Sequence, residues 1–142
     1  MNLIVKFKDK DVYKELKSFN GDWVDLRVND TVTLKKGEFK IIDLGIAMQL
    51  PKGYEAIVAP RSSTFKNYGL IQTNSIGVID NAYCGDDDWW GMPVLATRDV
   101  TLLKGTRVCQ FRLLESMSSS DIKVVKKLNT SSRGGFGSTG EN

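Results

Sequence analysis

Short apolar segments rich in β-branched and aromatic residues recur along the chain. Glycine, proline, asparagine or aspartate separates them about every eight to twelve residues, which is typical of a sandwich or barrel. The pattern predicts an all-β fold. The expected strands are Leu3–Phe7, Trp23–Val28, Glu38–Leu50, Glu55–Ala59, Ile76–Ile79, Met92–Ala96, Arg107–Leu114 and Ile122–Val125.

One segment has helical spacing instead. Val12, Leu16 and Phe19 fall four and three residues apart, which places them on one face of a helix. A short helix is therefore expected over Asp9–Phe19. Pro51–Tyr54 predicts a tight turn, because proline presets one backbone dihedral and glycine tolerates a positive one. We expect the strands on either side of this turn to form a hairpin.

The length and composition predict a single domain followed by an arm. The chain has 142 residues, 41% of them hydrophobic and 26% charged, as in an ordinary globular protein. The N-terminus alternates apolar and basic residues, which favours neither a signal peptide nor a membrane span, so a cytoplasmic location is expected. From Asn129 the chain is rich in glycine and serine, with Phe136 as its single large apolar residue. We therefore expect a domain over 1–128 and a mobile arm over 129–142.

The rarer residue types restrict the chemistry. Cys84 and Cys109 are the two cysteines, and the chain has no histidine, which argues against a disulfide framework and a His/Cys zinc site. A general base must then be a carboxylate, a lysine, a cysteine or a metal-bound group. The net charge of +3, spread over scattered lysines, predicts no nucleic-acid surface and fits a small anionic ligand equally well.

Two segments carry groups suited to phosphate. Arg133–Thr139 combines a cation, exposed amides, two hydroxyls and the Phe136 ring, which are the parts of a phosphate cradle with a stacking lid. The alternatives are a solubilising terminus or an RGG-like RNA-binding segment. Arg61, Ser62 and Ser63 offer a cation and hydroxyls after a predicted strand. The alternative there is a polar loop with a solvated arginine.

A third segment, Asn74–Asp86, predicts a β-hairpin that could hold a flat base. Its backbone amides and carbonyls can mimic a base-pairing edge, and Tyr83 can pack under a sugar and reject a 2′ hydroxyl. Asp80 is the candidate base of this segment. It could instead cap a turn.

Two further segments lie on predicted strands. Asp25 stands among apolar neighbours and needs a partner, either an arginine or lysine in a salt bridge or Mg²⁺ reached through water. Gly105–Gln110 presents Arg107 and Gln110, which could serve a site or simply a strand ladder.

Taken in order, these segments resemble the five motifs of the homotrimeric all-β dUTPase family, from Asp25 to Gly140. The matching residues are Pro60-Arg61-Ser62, then Asn74, Gly77, Ile79, Asp80, Tyr83 and Gly85, then Gly105, Arg107 and Gln110, and finally Arg133-Gly134-Gly135-Phe136-Gly137-Ser138-Thr139-Gly140. The departures are Asp22 and Trp23 before Asp25, Ser63 in place of a glycine, Lys66 one place early, and the run Asp86-Asp87-Asp88-Trp89-Trp90. They indicate a divergent subgroup from bacteria and their phages.

The resemblance implies a jelly-roll-like distorted barrel of the β-clip type. It also implies a homotrimer with active sites shared between subunits, and hydrolysis of dUTP to dUMP and pyrophosphate with Mg²⁺. Within it, Asp80 activates the water that attacks the α-phosphorus, Gln110 holds a phosphate oxygen or that water, and Asp25 contacts the metal through water. The implied substrate-binding residues are Arg61, Ser62, Ser63, Asn74, Gly77, Val78, Ile79, Tyr83, Arg133, Phe136, Gly137, Ser138 and Thr139.

Two other functions share features with this sequence. The related dCTP deaminases carry a glutamate for deamination, where this chain has Asp80. A dUTP-binding protein acting mainly through a protein partner would use the segment Asp86–Trp90 as its surface, with an exposed tryptophan pair as anchor. Against that, Trp89 or Trp90 could pack in the core or at a subunit contact.

Overall fold

The computed structural model describes residues 1–16, 21–117 and 121–137. These ranges contain eleven strands and one short helix, so the all-β prediction is confirmed. The elements are β1 (Ile4–Phe7), β2 (Val24–Arg27), β3 (Val32–Leu34), β4 (Phe39–Asp43), β5 (Ile46–Gln49), β6 (Tyr54–Pro60), α1 (Thr64–Tyr68), β7 (Leu70–Gln72), β8 (Gly77–Ile79), β9 (Gly91–Ala96), β10 (Val100–Leu102) and β11 (Arg107–Glu115).

The strands pair across long stretches of chain. The sheet orders are β2-β11-β6-β8, β4-β9-β7, β1-β5 and β10-β3, and every pairing is antiparallel. The turn at Pro51–Tyr54 is present, because the Tyr54 amide donates to the Pro51 carbonyl at 3.1 Å. The expected hairpin around it is wrong, since β5 pairs with β1 while β6 pairs with β11 and β8.

The single strand expected over Glu38–Leu50 is two strands. Gly45 lies between β4 and β5 with a φ of 64°, in the left-handed region that glycine enters without strain. Its amide donates to Asp43 Oδ1 at 2.8 Å, so a side chain completes the bend. The bend lets β4 pair with β9 and β5 pair with β1.

The expected helix over Asp9–Phe19 is not formed by residues 9–16, and its last three residues lie outside the described ranges. Asp9 Oδ1 accepts the Asp11 amide at 2.8 Å, an Asx turn that competes with helical hydrogen bonding. Tyr13 is buried, and its hydroxyl donates to the Leu44 carbonyl at 2.7 Å. The segment is therefore held by the core.

A continuous apolar core lies between the sheets. Its largest fully buried side chains include Trp90 and Phe111, whose rings meet edge to face with centroids 5.3 Å apart. The expected strand Ile122–Val125 is absent: residues 121–137 contain no helix or strand, and their side chains are exposed. No helix of the described residues is long and apolar enough to cross a membrane.

Candidate active site

A groove of about 350 Å³ is lined by β8, the loop that follows it and the start of β9. It contains five residues that the sequence assigned to nucleoside binding, Asn74, Gly77, Val78, Ile79 and Tyr83. The expected hairpin over Asn74–Asp86 is wrong, because β8 pairs with β6, with Ile79 opposite Ala56. The backbone that would face a base is thus an edge strand of the four-stranded sheet.

Asp80 directly follows β8 and its side chain is exposed. Its carbonyl accepts the Tyr83 amide at 3.0 Å, which closes a turn after the strand. The carboxylate makes only a long contact with the Ala82 amide, at 3.5 Å. Asp80 thus lies in a turn, and its exposed carboxylate is accessible to a water molecule.

Asn81 fixes the backbone next to Asp80. Its side-chain amide donates to the carbonyls of Pro51 and Tyr54, at 2.9 and 2.8 Å. Asn81 could not be singled out from the sequence, since an asparagine in a loop carries no sign of the distant turn that it joins. This contact holds the loop with Asp80 against the turn before β6.

A second group of residues surrounds Asp25 on β2. The Arg61 guanidinium lies 3.2 Å from Asp25 Oδ1, and that of Arg107 lies 3.4 Å from Oδ2. The salt bridge considered for Asp25 is therefore present, and two arginines make it. Gln110 lies between Asp25 on β2 and Ala59 on β6 in the strand register.

The loop after β6 is shaped by Thr64. The buried Thr64 hydroxyl accepts the Arg61 amide and donates to the Val108 carbonyl, both at 2.9 Å. Gln110 Nε2, on β11, donates to the Pro60 carbonyl at 3.1 Å, which also holds the start of this loop. Ser62 is thereby left exposed at the surface, while Ser63 is half-buried at the start of α1.

Arg61 and Ser62 line a cavity of about 390 Å³ that shares no residue with the groove. Gln72 also lines it, at 5% exposure, and donates through Nε2 to the Val58 carbonyl at 3.0 Å. Its Oε1 is buried without a hydrogen-bond partner. Sequence reasoning missed Gln72, because a glutamine on a three-residue strand gave no signal of burial beside Arg61.

The arm residues are not gathered around either cavity. Arg133, Phe136 and Gly137 are exposed, and neither cavity includes them among its lining residues. Ser138 and Thr139 lie outside the described residues.

The described residues contain no cluster of three acidic, cysteine or histidine side chains that would cage a metal ion. Both carboxylate oxygens of Asp25 face guanidinium groups. Asp25 could therefore meet a Mg²⁺ ion only through the waters that such an ion keeps.

The tryptophan pair of Asp86–Trp90 is not an exposed anchor. Trp90 is 1% exposed and packs in the core, as one of the two alternatives expected. Trp89 is half-buried, and the ammonium groups of Lys6 and Lys8 lie 5.2 and 5.4 Å from its ring centroid. The surface proposed for a protein partner therefore lacks its anchor.

Solved structures with a similar fold indicate the class of protein. The fold resembles that of a Staphylococcus bacteriophage 80alpha dUTPase mutant solved with dUpNHpp, with a TM-score of 0.81, 20% identity and 99% of both chains covered. It also resembles a mutant dUTPase from phage phi11 of S. aureus, described as coordinating a structural Mg(II) ion, with a TM-score of 0.77, 16% identity, and 92% and 100% of the two chains covered. The expected dUTPase jelly-roll fold is confirmed.

The family follows from the sequence itself. Residues 23–140 match the dUTPase family. The chain is 51% identical over 140 residues to the SPbeta prophage-derived deoxyuridine 5'-triphosphate nucleotidohydrolase of Bacillus subtilis (strain 168), with 99% of each chain covered. The chain belongs to the dUTPase family, and the expected kinship with a bacterial and phage subgroup is confirmed.

Proposed function

We propose that this chain is a dUTP diphosphatase, which hydrolyses dUTP to dUMP and pyrophosphate. The observation that carries the proposal is the groove in which Asn74, β8 and Tyr83 meet, with Asp80 next to it in the chain. A flat base fits a groove edged by the free side of a strand, and a carboxylate at its end can reach the first phosphate. Family membership supports the same substrate.

Asp80 is the proposed general base. Its carboxylate orients and deprotonates a water molecule for in-line attack on the α-phosphorus, and pyrophosphate leaves. Phosphoanhydride hydrolysis depends mainly on positioning and charge neutralisation, so one well-placed carboxylate suffices in a chain without histidine. Gln110 holds a phosphate oxygen or the attacking water.

The groove supplies selectivity. Asn74 and the backbone of Gly77, Val78 and Ile79 hydrogen-bond the edge of uracil. The Tyr83 ring packs under the deoxyribose, where a ribose hydroxyl would collide with it. dUTP should accordingly be preferred over UTP, dCTP and dTTP.

The phosphates of the substrate bind at the cavity lined by Arg61 and Ser62. Ser62 bridges toward the leaving phosphates, Ser63 adds a hydroxyl, and Arg61 shapes the loop through its ion pair with Asp25. Mg²⁺ supplies neutralisation of phosphate charge when bound. Asp25 would contact the water shell of this ion while its two carboxylate oxygens remain paired with Arg61 and Arg107.

A homotrimer is proposed because the family resemblance implies sites shared between subunits, and the nucleoside groove and the cavity of Arg61 and Ser62 share no lining residue in one chain. The sheet β4-β9-β7 supports this. It exposes a row of apolar side chains, Phe39, Ile41, Ile71 and Leu95, in which Leu95 lies opposite both Phe39 and Ile71. Such a patch is typical of a surface that another subunit covers.

The arm over 129–142 is proposed to close on a bound substrate of another subunit. Phe136 covers the uracil, Arg133 grips the γ-phosphate, and Gly137, Ser138 and Thr139 add backbone and hydroxyl contacts. The cytoplasmic location stays a prediction.

The catalytic assignment is tested by replacing Asp80 with asparagine. The change removes the charge of an exposed side chain and keeps its shape, so folding should be unaffected while pyrophosphate release falls by about a hundredfold or more. Asp87→Asn is the matched control, an exposed aspartate of the neighbouring loop, and should keep its activity. Turnover by Asp80→Asn within about tenfold of wild type would exclude Asp80 as the base.

Closure in trans is tested by mixing two inactive proteins. One carries Asp80→Asn and the other ends after Leu128, and their subunits are allowed to exchange. Hybrid trimers then contain sites with an intact Asp80 from one chain and an intact arm from another. Recovered dUTP hydrolysis supports the proposal, whereas no recovery despite verified hybrid formation places the arm over its own subunit.

A further inference from the structure

The Tyr83 side chain is held at its far end. Tyr83 is 40% exposed and lines the groove, and its hydroxyl donates to the backbone carbonyl of Trp89 at 2.9 Å. The backbone amide of Tyr83 is fixed separately by the Asp80 carbonyl. The direction in which the ring points therefore depends on where the Trp89 carbonyl lies.

Two lysines at the end of β1 hold Trp89. Lys6 lies on β1 and Lys8 directly follows that strand, and the ammonium groups of both lie against the Trp89 ring. Such contacts between a cation and an aromatic face stabilise the ring position. Neither lysine lines the groove, so neither is placed to touch a nucleotide directly.

Each lysine is itself anchored. Lys6 Nζ donates to the Asp86 carbonyl at 3.0 Å and lies 3.6 Å from its carboxylate. Lys8 Nζ donates to Asp43 Oδ2 at 2.7 Å, and this hydrogen bond raises the pKa of Lys8 above its ordinary value. Lys6 is thus tied to the loop at Asp86, and Lys8 is tied to Asp43 at the end of β4.

Further hydrogen bonds hold the loop over residues 84–90. Asp88 accepts the Gly85 amide at 2.8 Å, and its own amide donates to the Gly85 carbonyl at 3.1 Å. Trp90 donates its amide to the Ile46 carbonyl at 2.8 Å and is buried in the core. The unusual run of acidic residues and tryptophans therefore connects β1 and the core to Tyr83.

We propose that Lys6, Lys8 and Trp89 form a strut that sets the orientation of Tyr83 and thereby the discrimination between deoxyribose and ribose. Trp89 and the two lysines are positioning residues, since they act through the Tyr83 hydroxyl. The inference rests on the proposed sugar-packing role of Tyr83. It assigns to the segment Asp86–Trp90 a part in selectivity.

The test compares kcat/KM for dUTP and UTP in a Lys6→Met/Lys8→Met double variant. Methionine keeps most of the side-chain length and removes the cations. The ratio of kcat/KM for dUTP to kcat/KM for UTP should fall by about fivefold, mainly through a lower KM for UTP. The value of kcat for dUTP should stay near that of wild type. Lys6→Arg/Lys8→Arg retains the cations and should restore the ratio. Lys104→Met is the matched control, a surface lysine paired with Asp9, and should leave the ratio unchanged.

Tyr83→Phe supplies the decisive comparison, because it removes only the hydroxyl that the strut holds. If the strut acts through that hydroxyl, combining Tyr83→Phe with the double methionine variant lowers the ratio no further than either change alone. Additive losses, or a wild-type ratio in the double methionine variant, would overturn the strut. The role of Tyr83 itself is tested separately by Tyr83→Ala. An unchanged ratio there would refute the sugar-packing proposal, whereas a lowered ratio beside an unaffected double methionine variant would refute the strut alone.

Discussion

Replacing Gly45 with alanine should destabilise the protein by more than an ordinary turn substitution. Gly45 has a φ of 64°, and a Cβ built there would lie 2.2 Å from Asn29 Oδ1. Asn29 is 5% exposed, so its side chain has little room to move. The hydrogen bonds between Trp90 and the residues on either side of Gly45 would be disturbed by the same shift.

The magnitude has two parts. A left-handed conformation costs an alanine about 1–2 kcal/mol. Forcing an extra carbon against a buried side chain costs about 1–3 kcal/mol more. Gly45→Ala should therefore lower the free energy of unfolding by about 2–5 kcal/mol.

Gly53→Ala separates the cost of the left-handed backbone from the cost of the collision with Asn29. Gly53 has a φ of 81° but no atom within 4 Å of the position of its Cβ, so only the backbone cost of about 1–2 kcal/mol applies. Both changes lower the freedom of the unfolded chain equally, and that effect cancels. Urea denaturation at equal protein concentration measures both variants. Equal loss of stability in the two variants would refute the collision with Asn29.

The remaining predictions concern thiols and pH. Cys84 is exposed, whereas Cys109 is fully buried and burial raises the pKa of its thiol, so a thiol reagent should label Cys84 in the native protein and Cys109 only in denaturant. Rapid native labelling of Cys109, identified by peptide mass, would contradict this. The hydrogen bond from Lys104 lowers the pKa of Asp9, which gives a stability contribution that is present above the ordinary aspartate pKa and lost as the pH falls through the lowered value. Urea denaturation across acidic pH should thus show the difference between wild type and Lys104→Met vanishing in acid, and a difference that persists there would refute the pairing.

Longer strands could be predicted from their apolar pattern, and β8, with three residues, also lay within the expected strand Ile76–Ile79. β6, β9 and β11 have six or more residues and were expected. β3, β7 and β10 have three residues each, and α1 has five, which is too short for a period to be recognised. Their positions are decided by distant partners, as in the pairing of β10 with β3.

In the candidate site, contacts within one segment could be predicted, whereas contacts between distant strands could not. The groove could be predicted because Asn74, Asp80 and Tyr83 come from one short segment, which brings its own residues together. The ion pair of Arg107 with Asp25 joins residues 82 positions apart, and the sequence left the partner of Asp25 open. A contact across strands becomes predictable only when the register is known, and the register depends on the whole core.

Trp89 and Trp90 are adjacent and identical, but they have different environments in the structure. Successive side chains of an extended chain point to opposite sides, so one ring enters the core and the other faces outward. The outward ring meets Lys6 of β1 and Lys8, the residue that follows β1. The pattern lysine-x-lysine and the tryptophan pair were both visible in the sequence, but the contact also requires the pairing of β1 with β5 and the docking of Trp90 on Ile46. Selectivity at Tyr83 would thus depend on two strands that no local motif includes.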